Sequence, residues 1–181
     1  MVAVGRLVEK KGFGNLIEAL RGLGDDVPWR LTVVGDGPYR TQLEQQAAGL
    51  PVSFLGQRGR TEVLETLASA TVVAVPSIPA ANGDQEGLPV TLLEAAAVGA
   101  AIVASDLPGI RDVVQDDVSG VLVPPGDVPA LRAALQRVLT GRHGADALPG
   151  AGRRLGGGVL HRADRRAVPR GAARSHRLTT R

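Results

Sequence analysis

The stretch RLTVVGDGPYRTQLEQQAA, Arg30 to Ala48, carries one complete strand–turn–helix unit and sets the reading of the whole chain. Arg30–Val34 is a short β-branched run, and Val34-Gly35-Asp36-Gly37-Pro38 is a turn punctuated by glycine and proline. Tyr39–Ala48 is a longer run with helical periodicity. The same alternation extends to both sides. Strands are expected at Val2–Val4, Arg30–Val34, Val52–Leu55, Val72–Val75, Ala101–Ala104 and Gly120–Val123. Helices are expected at Phe13–Leu23, Tyr39–Ala48, Thr61–Ala70, Val90–Val98 and Val128–Leu139, with a short one at Gly109–Val114. In the first, Leu16, Ile17, Leu20 and Leu23 fall at helical spacing while Glu18 and Arg21 point outward. The last opens on Asp127 as N-cap with Pro129 in the first turn. Strands that are apolar throughout are those covered by helices on both faces. The pattern therefore predicts an α/β fold, a doubly wound parallel sheet of about six strands.

The chain of 181 residues has room for one such domain. It contains no apolar run of the ~18 residues a membrane-spanning helix needs. The start, MVAVGRLVEKKG, lacks the features of a signal peptide, so a cytoplasmic location is expected. The absence of cysteine excludes disulfides and the usual structural zinc sites. One Trp, one Tyr and two Phe leave almost nothing on which nucleobases of single-stranded nucleic acid could stack. The net charge of +3 conceals an uneven distribution. Residues 1–141 hold 11 Lys and Arg against 16 Asp and Glu, a balance of −5. Residues 142–181 hold 10 Arg against 2 Asp, a balance of +8, and all three histidines. The body is acidic, and no nucleic-acid partner is expected. The Arg- and Gly-rich text of 142–181 has no sustained apolar period and reads as disordered. A non-native terminus is the preferred account of it over a basic arm.

In an open α/β sheet, ligands bind beyond the carboxyl ends of the strands, so the strand-to-helix turns hold the candidates. The first, Gly5-Arg6-Leu7-Val8-Glu9-Lys10-Lys11-Gly12, sets a forked guanidinium and a mobile ammonium five residues apart, suited to a diphosphate. A solvated basic loop is the plainer reading of the same residues. In the second, Arg40 stands where a dinucleotide fingerprint needs its third glycine, which disfavours an NAD-linked oxidoreductase. Gly35 and Gly37 fit a structural turn and a ligand-lining turn equally. Neither lysine completes a P-loop, and no G-x-S-x-G elbow exists. The fourth turn, Pro76 to Pro89, is long and polar, as functional loops are. It leads through Glu86 and Gly87 into a helix carrying Glu94, ~7.5 Å along the axis from Pro89. Two carboxylates so placed suit an elongated polyhydroxyl ligand. Glu94 sits among Leu92, Leu93, Ala95, Ala96 and Ala97 and so needs a partner. Asp84-x-Glu86 reads better as a solvated turn than as a metal site, and no metal or other cofactor is expected.

Taken together, these motifs resemble a family. The turn Arg6…Lys11-Gly12, Val34-Gly35-Asp36-Gly37-Pro38 and Glu86-Gly87-Leu88-Pro89-x4-Glu94-Ala95 occur in order. Pro108-Gly109-Ile110-x-Asp112-Val113-Val114, Ser119-Gly120-x-Leu122-Val123 and Pro125-Gly126-Asp127 follow. The set is similar to the nucleotide-sugar-binding, Rossmann-like C-terminal half of a GT-B glycosyltransferase of retaining family 4 (glycosyl transferases group 1), over residues 1–141. The loop with Asn82-Gly83-Asp84 resembles the colanic-acid and exopolysaccharide branch. The resemblance implies that Arg6 and Lys11 hold the diphosphate of a UDP- or GDP-sugar and stabilise charge on the leaving nucleotide. Glu86 would bind hydroxyls of the donor sugar. The segment Gly87, Leu88, Pro89 and Val90 would line the donor, with the amides after Gly87 meeting sugar and phosphate. Glu94 would bind the ribose, Gly35 and Gly37 would line the nucleotide side, and the Gly56–Arg58 turn would border the base. Catalytic roles thus fall to Arg6, Lys11 and Glu86, without metal.

The family's acceptor-binding N-terminal half and its final crossing helix have no counterpart here. The expectation is a fragment, truncated at its start and frameshifted near Gly141–Gly150. The implied acceptor is a glycan or lipid-linked sugar in cell-surface polysaccharide synthesis, with peripheral contact at the inner face of the membrane. The rival reading is a non-catalytic nucleotide-binding module or inactive fragment completed by a partner acceptor domain.

Overall fold

The computed structural model describes residues 1–24, 26–80 and 87–141. Strands run Val2–Val4 (β1), Leu31–Val34 (β2), Val52–Gly56 (β3), Val72–Val75 (β4), Ala101–Ser105 (β5) and Val121–Val123 (β6). Helices run Phe13–Arg21 (α1), Arg40–Gln46 (α2), Arg60–Ser69 (α3), Val90–Ala97 (α4), Pro108–Arg111 (α5) and Val128–Leu139 (α6). All strand pairings are parallel, in the order β3-β2-β1-β4-β5-β6. The doubly wound sheet is the one expected. The expected residues 142–181 tail, and Asn82, Gly83, Asp84 and Glu86, lie outside the described residues.

The expected elements are all present and shift at their ends, several for local reasons. α1 stops at Arg21, two residues before Leu23, on Gly22. α3 starts at Arg60, where the side chain of Glu62 reaches back to accept the Gly59 N–H at 3.0 Å. α5 begins at Pro108, whose fixed φ suits the first turn. Glu9–Lys11 forms a 3-10 turn that has no apolar residue to announce it.

The strands alternate between two cores. Val72 and Ala74 of β4, with Ala101 and Val103 of β5, face one cluster. That cluster joins Leu16, Ile17 and Leu20 of α1, Leu43 of α2 and Leu131 and Leu135 of α6. Val73, Val75, Ile102 and Ala104 face the other, with Leu67 of α3, Leu92 and Ala95 of α4 and Ile110 of α5. Each fully buried leucine contributes ~1.5–3 kcal/mol, so both faces need their helices. The apolar runs of β4 and β5 follow from this double cover.

α6 is held at its start by Asp127, which accepts the Ala130 N–H at 2.9 Å. Replacing Asp127 by Ala is expected to cost about 1 kcal/mol, read by urea denaturation through Trp29, the chain's one tryptophan. A cost below a few tenths of a kcal/mol in that titration would remove the cap from the account.

Candidate functional site

The sheet order reverses between β1 and β4. From β1 the chain crosses to β2, and from β4 to β5 on the other side, so the two exits diverge and leave a crevice at their carboxyl ends. Backbone hydrogen bonds join the exits around it. Gly5 N–H donates to Val34 O at 2.9 Å and Leu7 N–H to Asp36 O at 2.9 Å, tying the β1 exit to the β2 exit. Gly35 N–H donates to Gly56 O at 2.8 Å, tying β2 to β3. Ile78 N–H donates to Lys10 O at 2.9 Å, tying β4 back to β1.

Two of these junctions admit only glycine. Gly35 has φ +137, and a Cβ there would stand 1.9 Å from Gly5 O. Gly12 has φ +64, and a Cβ there would stand 1.8 Å from Pro76 O. No side chain fits at either contact. Gly37 lies against the Leu7 backbone. Beside Gly35 the β2–β3 register slips, so that Val33 pairs with Phe54 and Val34 with Gly56. Leu55 is the extra residue of this bulge, which redirects β3 into the turn carrying Gln57 and Arg58.

A hollow of about 400 Å³ opens among the exits of β1, β2 and β3. Val4, Val34 and Val63 supply its apolar lining, and Arg6, Asp36, Gln57 and Arg58 its polar lining. Its volume lies within the ~300–1,000 Å³ of small-molecule sites. Arg6, Gly35 and Arg58, three of the residues singled out from the sequence, meet here. The Asp36 carboxylate is offset by Arg40, whose Nη1 lies 3.3 Å from Asp36 Oδ2 and whose Nε lies 2.8 Å from Glu44 Oε1. Hydrogen bonding to Glu44, then the charges of both acids, raises the Arg40 pKa above its ordinary value. An anion at Arg6 therefore meets Asp36 as part of a paired group.

A second, much smaller hollow of about 10 Å³ lies at the switch point itself, bordered by Lys11, Ser77, Pro89 and Thr91. Val4 lines both hollows, so Arg6 and Lys11 flank the end of β1. The stem of Lys11 crosses Gly5, with Cε 3.3 Å from where a Cβ would be. Pro89 is buried as N-cap of α4, whereas Gly87, Leu88 and Val90 are exposed around it. A third hollow, of about 140 Å³ between α1 and α2, contains none of the expected site residues.

Glu94 has the partner its apolar surroundings demand. Its side chain is only 17% exposed and faces Arg60 Nε at 3.9 Å across the α3–α4 contact. That separation is long for a hydrogen bond, and Arg60 is 83% exposed. The carboxylate keeps unused acceptor capacity. Beyond the crevice, Asp106 and Arg111 form a bidentate pair that fixes α5. The hydrogen bond from Arg111 holds the Asp106 carboxyl below its ordinary pKa.

Gln57, Ser77, Thr91 and Arg60 are the site residues that the sequence did not single out. Gln57 stood next to Arg58 in a turn already noted, a signal within reach. Arg60 and Glu94 are distant in sequence and meet only through helix packing, which no local pattern reveals.

Comparison with known proteins gives a consistent result. The family model for glycosyl transferases group 1 matches residues 1–141. The amylovoran biosynthesis glycosyltransferase AmsK of Erwinia amylovora is 39% identical over 154 residues, covering 82% of this chain and 37% of its own. WcaL of Escherichia coli (strain K12), a glycosyltransferase named for colanic acid biosynthesis, is 41% identical over 140 residues, covering 75% of this chain and 34% of its own. The chain thus spans little more than a third of these relatives' length. Among solved structures, Anabaena Alr3699/HepE in complex with UDP superposes with a TM-score of 0.70 and 27% identity, over 83% of this chain and 41% of that one. Among the described residues no helix is long and apolar enough to cross a membrane.

Proposed function

Because the chain belongs to the glycosyl transferases group 1 family, we propose that residues 1–141 are the donor-binding half of a retaining glycosyltransferase of cell-surface polysaccharide synthesis. The donor is a UDP- or GDP-sugar and the acceptor a glycan or lipid-linked sugar, held by an N-terminal domain that these residues do not contain. The enzyme works in the cytoplasm, in peripheral contact with the inner membrane face. The observation that carries this reading is the pairing of Arg6 and Lys11 around the end of β1, at the switch point of the sheet. The UDP and UDP-glucose complexes of HepE support a nucleotide-sugar donor.

In this reading the bond from the anomeric carbon to the diphosphate oxygen breaks, and its electron pair leaves with the nucleotide. The acceptor oxygen bonds to the anomeric carbon on the face the nucleotide leaves, and its proton passes to the departing diphosphate oxygen. Arg6 and Lys11 supply fixed positive charge where negative charge develops, the arrangement that most lowers such a barrier. The base lies toward Gln57 and Arg58, beside Gly35 and Gly37. The N–H groups of Leu88 and Val90, on either side of Pro89 at the entry to α4 and free of intrahelical partners, face sugar and phosphate. Glu86, outside the described residues, takes the hydroxyls of the donor sugar. Glu94 accepts from the ribose diol with the acceptor capacity that Arg60 leaves unused.

Calorimetric titration with UDP, GDP and NADH tests the core of the proposal. One of the two nucleoside diphosphates is expected to bind and NADH to fail; silence from both diphosphates overturns it. Glu94→Ala is expected to weaken the nucleoside diphosphate by roughly 10- to 100-fold, the worth of hydrogen bonds to a charged acceptor. A 2′,3′-dideoxy analogue is expected to bind the parent and Glu94→Ala alike. If the analogue still distinguishes the two proteins, Glu94 does not read the ribose.

A further inference from the structure

Ser77 is a buried polar residue that the proposed chemistry leaves unused. It follows the wholly buried strand β4 and is itself 1% exposed. Its Oγ has no hydrogen-bond partner among the described residues. An unsatisfied buried hydroxyl is costly, and such groups call for an explanation in a missing partner. The backbone on either side of it is held in place. Pro76 O packs against Gly12, and Ile78 N–H donates to Lys10 O.

Ser77 borders the hollow at the switch point together with Lys11 and Thr91. Its volume of about 10 Å³ corresponds to a single oxygen-sized occupant. The three polar residues that border the hollow each carry a hydrogen-bond donor. Thr91 stands in the first turn of α4, where the helix dipole adds positive potential. The occupant such a set selects is an oxyanion oxygen. Resting on the donor-binding reading above, we propose that Ser77 is a further donor-binding residue, whose hydroxyl donates to an oxygen of the nucleotide sugar's diphosphate seated between Lys11 and Thr91.

The oxygen in question belongs to the sugar-bearing β-phosphate, which UMP and GMP lack, and this makes the contact separable from nucleoside recognition. Ser77→Ala and Thr91→Val are titrated with UDP and UMP, or with GDP and GMP, and the ligand-free melting temperature is measured. Ser77→Ala is expected to weaken the diphosphate ~10-fold, to change the monophosphate less than twofold, and to melt at or above the parent's temperature, since its unsatisfied hydroxyl is gone. Thr91→Val is expected to show the same selectivity for the diphosphate. Diphosphate affinity within twofold of the parent in Ser77→Ala overturns the proposal. So does an equal loss for both nucleotides with a lowered melting temperature, which would assign Ser77 a structural role and the hollow an ordered water. If the parent binds neither diphosphate, the donor-binding reading itself fails and this inference falls with it.

Discussion

Replacing Arg6 and Lys11 together by Ala is expected to raise the dissociation constant for the nucleoside diphosphate by about 10²- to 10⁴-fold. Each charge-assisted hydrogen bond to a phosphate contributes ~1.5–3 kcal/mol, and two are lost. The parent's affinity is expected to fall with added salt, and that of the double variant to depend on salt far less. The free nucleoside, which carries no phosphate, should bind both proteins equally. Arg6 is exposed, so its removal leaves the core intact. Lys11→Arg is the informative companion, because it keeps the charge and changes the shape. Diphosphate binding by the double variant within threefold of the parent would move the anion site away from the first turn. In the proposed transferase the same pair would act on the leaving group, and kcat/KM is then expected to fall by at least the factor lost in binding.

Gly12→Ala is the substitution expected to harm the fold most for the fewest atoms added. Its φ of +64 disfavours any L side chain, and its Cβ would stand 1.8 Å from Pro76 O, a backbone atom with little freedom to move. Strain of this kind, joined to a forced backbone shift, costs about 2–4 kcal/mol. Urea denaturation followed through Trp29 reads the loss as a lower midpoint with an unchanged slope. Gly49 also has positive φ but has open space where its Cβ would go, so Gly49→Ala separates the cost of φ from the cost of the collision. Equal losses at the two positions would refute the close approach as the cause.

The sheet was legible because β4 and β5 carry unbroken apolar runs, and their residues do alternate between two covered faces. Asp127 was legible as a cap because capping is local. The 3-10 turn at Glu9–Lys11 was not, since polar residues in a turn stabilised by tertiary contact leave no periodic trace. The family was legible in the spacing of motifs from Arg6 to Asp127, and the family match covers the same residues, 1–141. Of the residues singled out, Arg6, Gly35 and Arg58 share one hollow, and Lys11 and Pro89 border the other. That Glu94 needs a partner could be argued from its apolar neighbours. That the partner is Arg60, and that it leaves the carboxylate half engaged, depends on how α3 packs on α4.

The hydrogen bonds that bind the exits of β1, β2, β3 and β4 to one another have a kinetic and entropic corollary. A wall whose segments are already fastened surrenders its freedom when the chain folds, so a ligand docking against it has few torsions left to freeze. Such a jaw is preorganised: association should be quick and accompanied by little heat-capacity change beyond that of the area covered. Any motion that accompanies turnover in the proposed transferase is then expected to carry this half as a solid body.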